Sequence, residues 1–194
     1  LIMRLKNVIS AENRINTIKF LIDYGVDINV KLNCRIDSYL NMAITYNNNP
    51  CRYKIIKCLL DYGAKIFLDD AENSAFHSLA LIDTEHYKGE TEEILNLLLE
   101  KDNKINTVNH QNMTILHLIS LVPINNSVNI MKLLLEKNSN LEKKSEYLET
   151  ALHLTVNKSS LELALQKIKI LLDTGININS CDDSGNTLLH LAAI

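Results

Sequence analysis

Two short phrases recur along the 194-residue chain at nearly the same interval, and this repetition constrains the fold more than any other feature. The first phrase is a pair of large apolar residues, usually Leu-Leu, followed three positions later by a helix-ending residue. These ending residues lie 38, 39, 36 and 37 positions apart: Gly25, Gly63, Asp102, Asn138 and Gly175. The second phrase opens a helix, in steps of 36, 40, 36 and 37 residues: Ser38, Ser74, Thr114, Thr150 and Thr187. Two markers with one period predict a repeat array.

Each marker has a physical role in such an array. A Ser or Thr at the start of a helix can accept a hydrogen bond from an unpaired N–H group of the first turn. A Gly or Asn after the Leu pair can adopt the left-handed conformation that ends a helix. The Leu pairs continue an apolar stripe with i, i+3, i+4 spacing, as at Ile94, Leu95, Leu98 and Leu99. One unit cannot bury this stripe alone, so neighbouring units must pack together as a solenoid.

These residues resemble the ankyrin repeat, whose pattern runs Asp-x-x-Gly-x-Thr-Pro-Leu-His-x-Ala-Ala and then Leu-Leu-x-x-Gly-Ala-x-Val-Asn. The resemblance is most complete at Asp182, Gly185, Thr187 and His190. It implies an all-α solenoid of stacked helix-turn-helix units with hairpin loops, called fingers, between them. We expect a single domain over residues 1–194 that is part of a longer protein. The expected units are 1–29, 30–67, 68–106, 107–142, 143–179 and an incomplete 180–194.

The chain also departs from the family pattern. The usual period is ~33 residues, and aligning both markers places the surplus between the two helices of each unit. We expect extended loops at 47–53, 83–91, 122–127 and 157–166, although the last, which contains three Leu residues, could instead lengthen the second helix. The finger glycine is kept at Gly185 and replaced elsewhere by Ile36, Glu72, Asn112 and Leu148. Because branched and bulky residues resist positive φ, we expect irregular fingers around Ile36 and Leu148.

Composition excludes several classes of function. The chain has 20 Lys and Arg against 23 Asp and Glu, which gives no electrostatic case for a nucleic-acid partner. The best candidate for a membrane span, residues 115–124, contains His117, Ser120 and Pro123 and is shorter than the ~20 residues that cross a bilayer, so we expect no membrane partner. The four Cys lack the paired spacing of a zinc site. Cys51 and Cys58 are seven residues apart and could share a helix face, but they fit best as buried thiols. A reducing, intracellular compartment suits this Cys content, and we expect a cytoplasmic protein.

Four histidines occupy matching positions, one per unit: His77, His117, His153 and His190. Packed units are about 10 Å apart, whereas zinc ligands lie ~2 Å from the metal, so these residues predict a structural role. In the family this His forms a local hydrogen bond within its repeat. His86 and His110 lie outside the pattern and are expected to be solvated. We therefore predict no enzyme, no metal and no cofactor.

The resemblance implies binding to a protein through the concave face, using the fingers and the end of each first helix. The first-helix candidates are Tyr46, Leu81, Ile82, Leu121 and Val122, of which Leu81, Leu121 and Val122 could instead pack against inserted loops. The finger candidates are Arg35, Asp37, Asp70, Asn73, His110, Gln111, Met113, Glu146, Tyr147, Glu149 and Asp183. Tyr147 is the preferred anchor, because aromatic residues dominate interface hot spots.

Long, uneven repeats rich in Asn, Ile and Lys are similar to the ankyrin proteins of poxviruses and, less specifically, of other large DNA viruses. This similarity implies a host-range module that binds a host innate-immune protein in the host cytoplasm. It also implies delivery of that protein to a cullin-based ubiquitin ligase through a C-terminal segment beyond these residues. The alternative is a cellular or parasite ankyrin scaffold without an immune role.

Overall fold

The computed structural model describes residues 11–30, 38–45, 51–80, 90–123, 126–156 and 161–193. Within these ranges the chain is all α-helical and contains no strands. The described helices are α1 (Ala11–Asp23), α2 (Tyr39–Thr45), α3 (Arg52–Asp61), α4 (Ala75–Ala80), α5 (Glu90–Lys101), α6 (Ile115–Leu121), α7 (Ser127–Glu136), α8 (Ala151–Val156), α9 (Leu161–Asp173) and α10 (Leu188–Ala192).

The helices form two stacked layers. The short helices α2, α4, α6, α8 and α10 pack side by side in one layer, and the longer helices α1, α3, α5, α7 and α9 pack side by side in the other. Each short helix from α2 to α8 also packs against the long helix that follows it. This arrangement confirms the predicted solenoid of helical pairs. Because α9 begins at Leu161, the second half of the segment 157–166 lengthens a helix, as the sequence allowed.

The hydrophobic core runs without interruption from α2 to α9. Buried side chains from both layers contribute to one cluster, for example Ile44, Phe76, Leu98, Leu134 and Leu171. Leu134 is 0% exposed and lies in α7, between the units on either side. The apolar stripe predicted from the Leu pairs is therefore buried by neighbouring units.

The long helices end mostly as predicted. Gly63 adopts a positive φ of 85°, and its N–H and that of Ala64 close the end of α3 on Leu60 and Leu59. Asn138 ends α7 in the same way with φ 62°. Asp102 differs, because it keeps a helix-type bond from its N–H to Leu98 without a positive φ.

Polar side chains join neighbouring units at the turns that follow the long helices. Asn106 accepts a hydrogen bond from the N–H of Asn140 (2.7 Å) and donates one to the carbonyl of Asn138 (3.3 Å). Asn29 makes the equivalent pair of bonds between the first two units. The boundary between units is thus held by specific bonds as well as by apolar packing.

A buried lysine joins two consecutive units of the array. Lys167 of α9 is 0% exposed, and its Nζ donates to the carbonyls of Ile119 (2.8 Å), Ser120 (3.3 Å) and Val122 (2.5 Å). These bonds satisfy carbonyl groups at the end of α6, which have no partners within the helix. Burial lowers the pKa of Lys167 to about 8. Ile130 occupies the corresponding position of α7, so this polar substitution in the stripe was not expected.

The repeat register makes a direct prediction. Leu134→Ala should reduce the free energy of unfolding by ~2–5 kcal/mol, because the cavity forms in a core shared by three units. Leu172→Ala is the matched control, since Leu172 belongs to an equivalent Leu pair but is 36% exposed. Urea unfolding followed by circular dichroism measures both. Equal losses for the two variants would contradict the register.

Candidate protein-binding surface

Four fingers are described, at residues 69–74, 109–114, 145–150 and 182–187, and each is organised by its first side chain. Asp69 Oδ1 accepts hydrogen bonds from the N–H groups of Ala71 (2.9 Å) and Asn73 (2.7 Å). The same two bonds recur at Asn109, Ser145 and Asp182. A side-chain oxygen thus takes the place of a backbone acceptor in each turn. The sequence signal is an Asp, Asn or Ser five residues before each helix-opening Ser or Thr, of which Asp69 and Asp182 match the Asp of the family pattern quoted above.

The fingers are joined to one another by backbone hydrogen bonds. The N–H of His110 donates to Ala71 (3.1 Å), that of Glu146 to Gln111 (2.9 Å), and that of Asp183 to Tyr147 (3.0 Å). In each pair the second residue of one finger bonds the third residue of the preceding finger. The four fingers therefore form one continuous row, which we call the finger row.

The repeated histidines hold the finger row against the helices. His117 Nδ1 accepts a hydrogen bond from the N–H of Thr114 (3.2 Å), and its Nε2 lies 3.0 Å from the carbonyl of Lys143 in the next unit. His77 and His153 make the same bonds within their units, and their Nε2 atoms reach Met113 (2.9 Å) and Ser180 (2.9 Å). The predicted structural role is confirmed, but the expected local bond is only half of it. The second ring nitrogen crosses to the following unit.

This bonding pattern requires a neutral imidazole, since Nδ1 accepts while Nε2 donates. Burial lowers the pKa of His77, and it lowers the pKa of His117 to about 4. Within the described residues, no group of three or more His, Cys, Asp or Glu is placed to hold a metal ion. The hydrogen bonds of these histidines join neighbouring units.

The finger at Leu148 corrects a prediction from the sequence. Leu148 adopts φ 55°, a left-handed conformation, and its N–H still bonds Ser145 (3.1 Å) as Gly185 bonds Asp182 in the regular finger. The finger is regular because Ser145 and the bond from Glu146 to the preceding finger hold the backbone on both sides. The positive φ of Leu148 therefore leaves the hydrogen-bond pattern of the finger unchanged. Ile36, the other position where an irregular finger was expected, lies outside the described residues.

The predicted contact residues fall into three groups. Arg35, Asp37, Tyr46, Leu81 and Ile82 lie outside the described residues. The half-buried group is Asn73, Met113, Leu121, Val122 and Glu149. The exposed group consists of finger residues: Asp70, His110, Gln111, Glu146, Tyr147 and Asp183.

Two of the half-buried residues are engaged inside the array. Asn73 donates to Asp69 (3.1 Å) and accepts from Asn109 (3.1 Å), and Glu149 accepts from Ser145 Oγ (3.3 Å). Residues 75–80 and 115–120 of the short helices are buried throughout. In the described part of the chain, the exposed candidates are therefore concentrated in the finger row.

The architecture is that of a helical repeat protein with a row of linked fingers, and comparison with known proteins agrees with it. Residues 124–194 match a family model that is described as ankyrin repeats (3 copies). The chain is also similar to a putative ankyrin repeat protein of Acanthamoeba polyphaga mimivirus, with 27% identity over an alignment of 212 residues. That alignment covers 94% of this chain and 27% of the viral protein.

These findings support a module that binds other proteins, because ankyrin repeats typically mediate protein–protein interaction and are typically non-catalytic. In the described residues, no helix has both the length and the apolar character needed to cross a bilayer.

Protonation of the buried histidines should weaken the array in acid. The folded pKa of His117 is depressed from 6.5 to about 4, so the unfolded chain binds the proton first and stability falls as pH drops from about 6.5 to 4. The shift corresponds to a loss of up to about 3 kcal/mol. Replacing His117 with Gln should remove most of that pH dependence, although the variant is less stable at pH 7. His110→Gln, at an exposed histidine, should keep the wild-type pH dependence in urea unfolding at pH 7 and pH 4.5.

The left-handed Leu148 makes a second prediction. A non-glycine residue in this conformation costs about 1–2 kcal/mol, and Asn112 occupies the same position in the preceding finger. Leu148→Asn should therefore raise the free energy of unfolding by about 1 kcal/mol. Tyr147→Asn, at the adjacent position without positive φ, should give no increase. A Leu148→Asn protein less stable than wild type would show that packing of the Leu148 side chain outweighs the backbone strain.

Proposed function

We propose that this chain is a protein-binding module and that the finger row is its binding surface. The observation that carries the proposal is the tip of the third described finger. Tyr147 and Leu148 are adjacent there, and they are 55% and 47% exposed. Aromatic and apolar side chains of this kind anchor most protein interfaces.

Leu148 supports this assignment more strongly than an exposed leucine usually would. It occupies a position where the regular finger has Gly185, and its backbone is strained. Its side chain is nearly half exposed, so the free energy gained by burying that side chain offsets little of the backbone strain. Strain that the rest of the fold does not need is characteristic of functional positions.

The finger row also suits recognition because its conformation is fixed before a partner binds. Each finger is fixed internally by its first side chain and externally by a backbone bond to its neighbour. A surface that is already ordered loses little conformational entropy when a partner binds. The anchor residues can therefore contribute most of their contact energy to affinity.

We further propose that the module acts in a viral host-range protein that binds a host innate-immune protein in the host cytoplasm. The resemblance to poxviral ankyrin proteins and the similarity to a mimivirus protein support a viral setting. Delivery of the bound protein to a cullin-based ubiquitin ligase rests on the poxviral resemblance alone and concerns a segment other than these residues.

The test is affinity purification from host cells with the wild-type chain, Tyr147→Ala, Leu148→Asn and Tyr24→Ala. Both finger variants should reduce recovery of the partner at least tenfold, as loss of an anchor worth about 2 kcal/mol implies. Tyr24→Ala is the control, because Tyr24 is a 77% exposed tyrosine directly after the end of α1 and is not part of the four fingers. Leu148→Asn is the informative variant, since a more stable protein cannot lose its partner by unfolding.

The outcomes separate the parts of the proposal. Recovery that is equal for all four proteins would overturn the finger row as the binding surface. A partner that accumulates only with a proteasome inhibitor supports delivery to the ligase. A stable partner without any immune role favours the scaffold interpretation instead.

A further inference from the structure

Charge is segregated between the finger row and the rest of the chain. The four fingers contain seven of the 23 acidic residues and none of the 20 Lys and Arg. The remaining residues therefore hold 16 acidic and 20 basic side chains, an excess of positive charge. The near-neutral total conceals an excess of negative charge in the finger row.

Some of these carboxylates are occupied by the fingers themselves. Asp69 and Asp182 accept backbone N–H groups of their own turns, and Glu149 accepts from Ser145. Glu72 lies 3.5 Å from His110 Nδ1. These four carboxylates are engaged within the finger row and are therefore less available to contact a partner.

A second set of carboxylates is exposed beside the apolar tip. Glu146 precedes Tyr147 directly in the chain, and Asp183 is bonded through its N–H to the carbonyl of Tyr147 in the adjacent finger. The ammonium group of the nearby Lys144 is engaged by the backbone, since its Nζ donates to the carbonyl of Cys181 (2.9 Å). The apolar pair Tyr147–Leu148 is thus flanked by negative charge from two fingers.

We propose that the finger row binds a basic protein segment, and this inference rests on the proposed function. The segment presents one large apolar side chain to Tyr147 and Leu148 and carries Lys or Arg residues on either side of it. Complementary charge raises the association rate and excludes wrong partners, while the apolar contact supplies affinity. The same negative potential repels nucleic acids.

The spacing of the fingers sets the scale of the segment. Neighbouring units are about 10 Å apart, so the path from His110 to Asp183 covers about 20 Å. An extended peptide advances about 3.3–3.6 Å per residue. Six or seven residues would follow the three fingers, with successive contacts about three residues apart.

The test is selection of random 12-residue displayed peptides on the intact chain, followed by calorimetry with a synthetic copy of an enriched peptide. Enriched peptides should carry at least two Lys or Arg flanking a large apolar residue. Affinity should fall at least fivefold between 50 and 300 mM NaCl, because exposed charge pairs are screened.

Charge-neutralising variants identify the surface. The double change Glu146→Gln and Asp183→Asn should weaken the peptide at least fivefold. The matched control is Glu136→Gln with Asp173→Asn, two exposed carboxylates at the ends of α7 and α9, which should change affinity less than twofold.

Each outcome has a distinct meaning. Neutral or acidic peptides that still require Tyr147 and Leu148 would overturn the basic partner and leave the proposed function intact. Basic peptides that ignore both the finger carboxylates and Tyr147 would overturn both proposals. A selection that enriches nothing would overturn the basic segment and leave the proposed function to its own test. Self-association of the chain through Tyr147, seen by sedimentation, would identify a second copy as the occupant and overturn the basic segment.

Discussion

The structure depends on a neutral histidine placed three residues into successive short helices. One ring nitrogen accepts the unpaired N–H at the helix start, and the other bonds a carbonyl of the following unit. One side chain therefore determines where a helix begins and where the next unit sits. Because the bond pattern needs an acceptor and a donor on the same ring, burial that keeps His117 unprotonated also keeps the units aligned.

The histidine link explains why a chain with drifting fingers and variable spacing still forms one array. Its partners are backbone carbonyls, which every residue supplies, so the next finger can change sequence without losing the bond. The core is similarly tolerant. Lys167 occupies an apolar position in α9, and its ammonium group is stabilised by carbonyls at the end of α6. Packing between units is thus maintained by different chemistry at different boundaries.

The fingers connect this architecture to function. Because backbone bonds lock each finger to its neighbour, Leu148 can hold a strained conformation and keep an apolar side chain exposed. The same locking places Glu146 and Asp183 on either side of Tyr147. A rigid scaffold, an apolar tip and flanking negative charge together form a surface that is suited to a basic partner.

The recurring phrases predicted the repeat, and local spacing predicted the two helices per unit and most helix ends, because these elements depend on residues within about one turn of each other. The family resemblance implied the local bond of each histidine but not its bond to the following unit. The tertiary structure decided the rest. The finger at Leu148 is regular because a neighbouring finger some 36 residues away holds it, and Lys167 is buried because its acceptors lie 45 to 48 residues away. Which candidate residues are exposed was likewise decided by packing between units. Contacts at such distances along the chain leave no local pattern in the sequence.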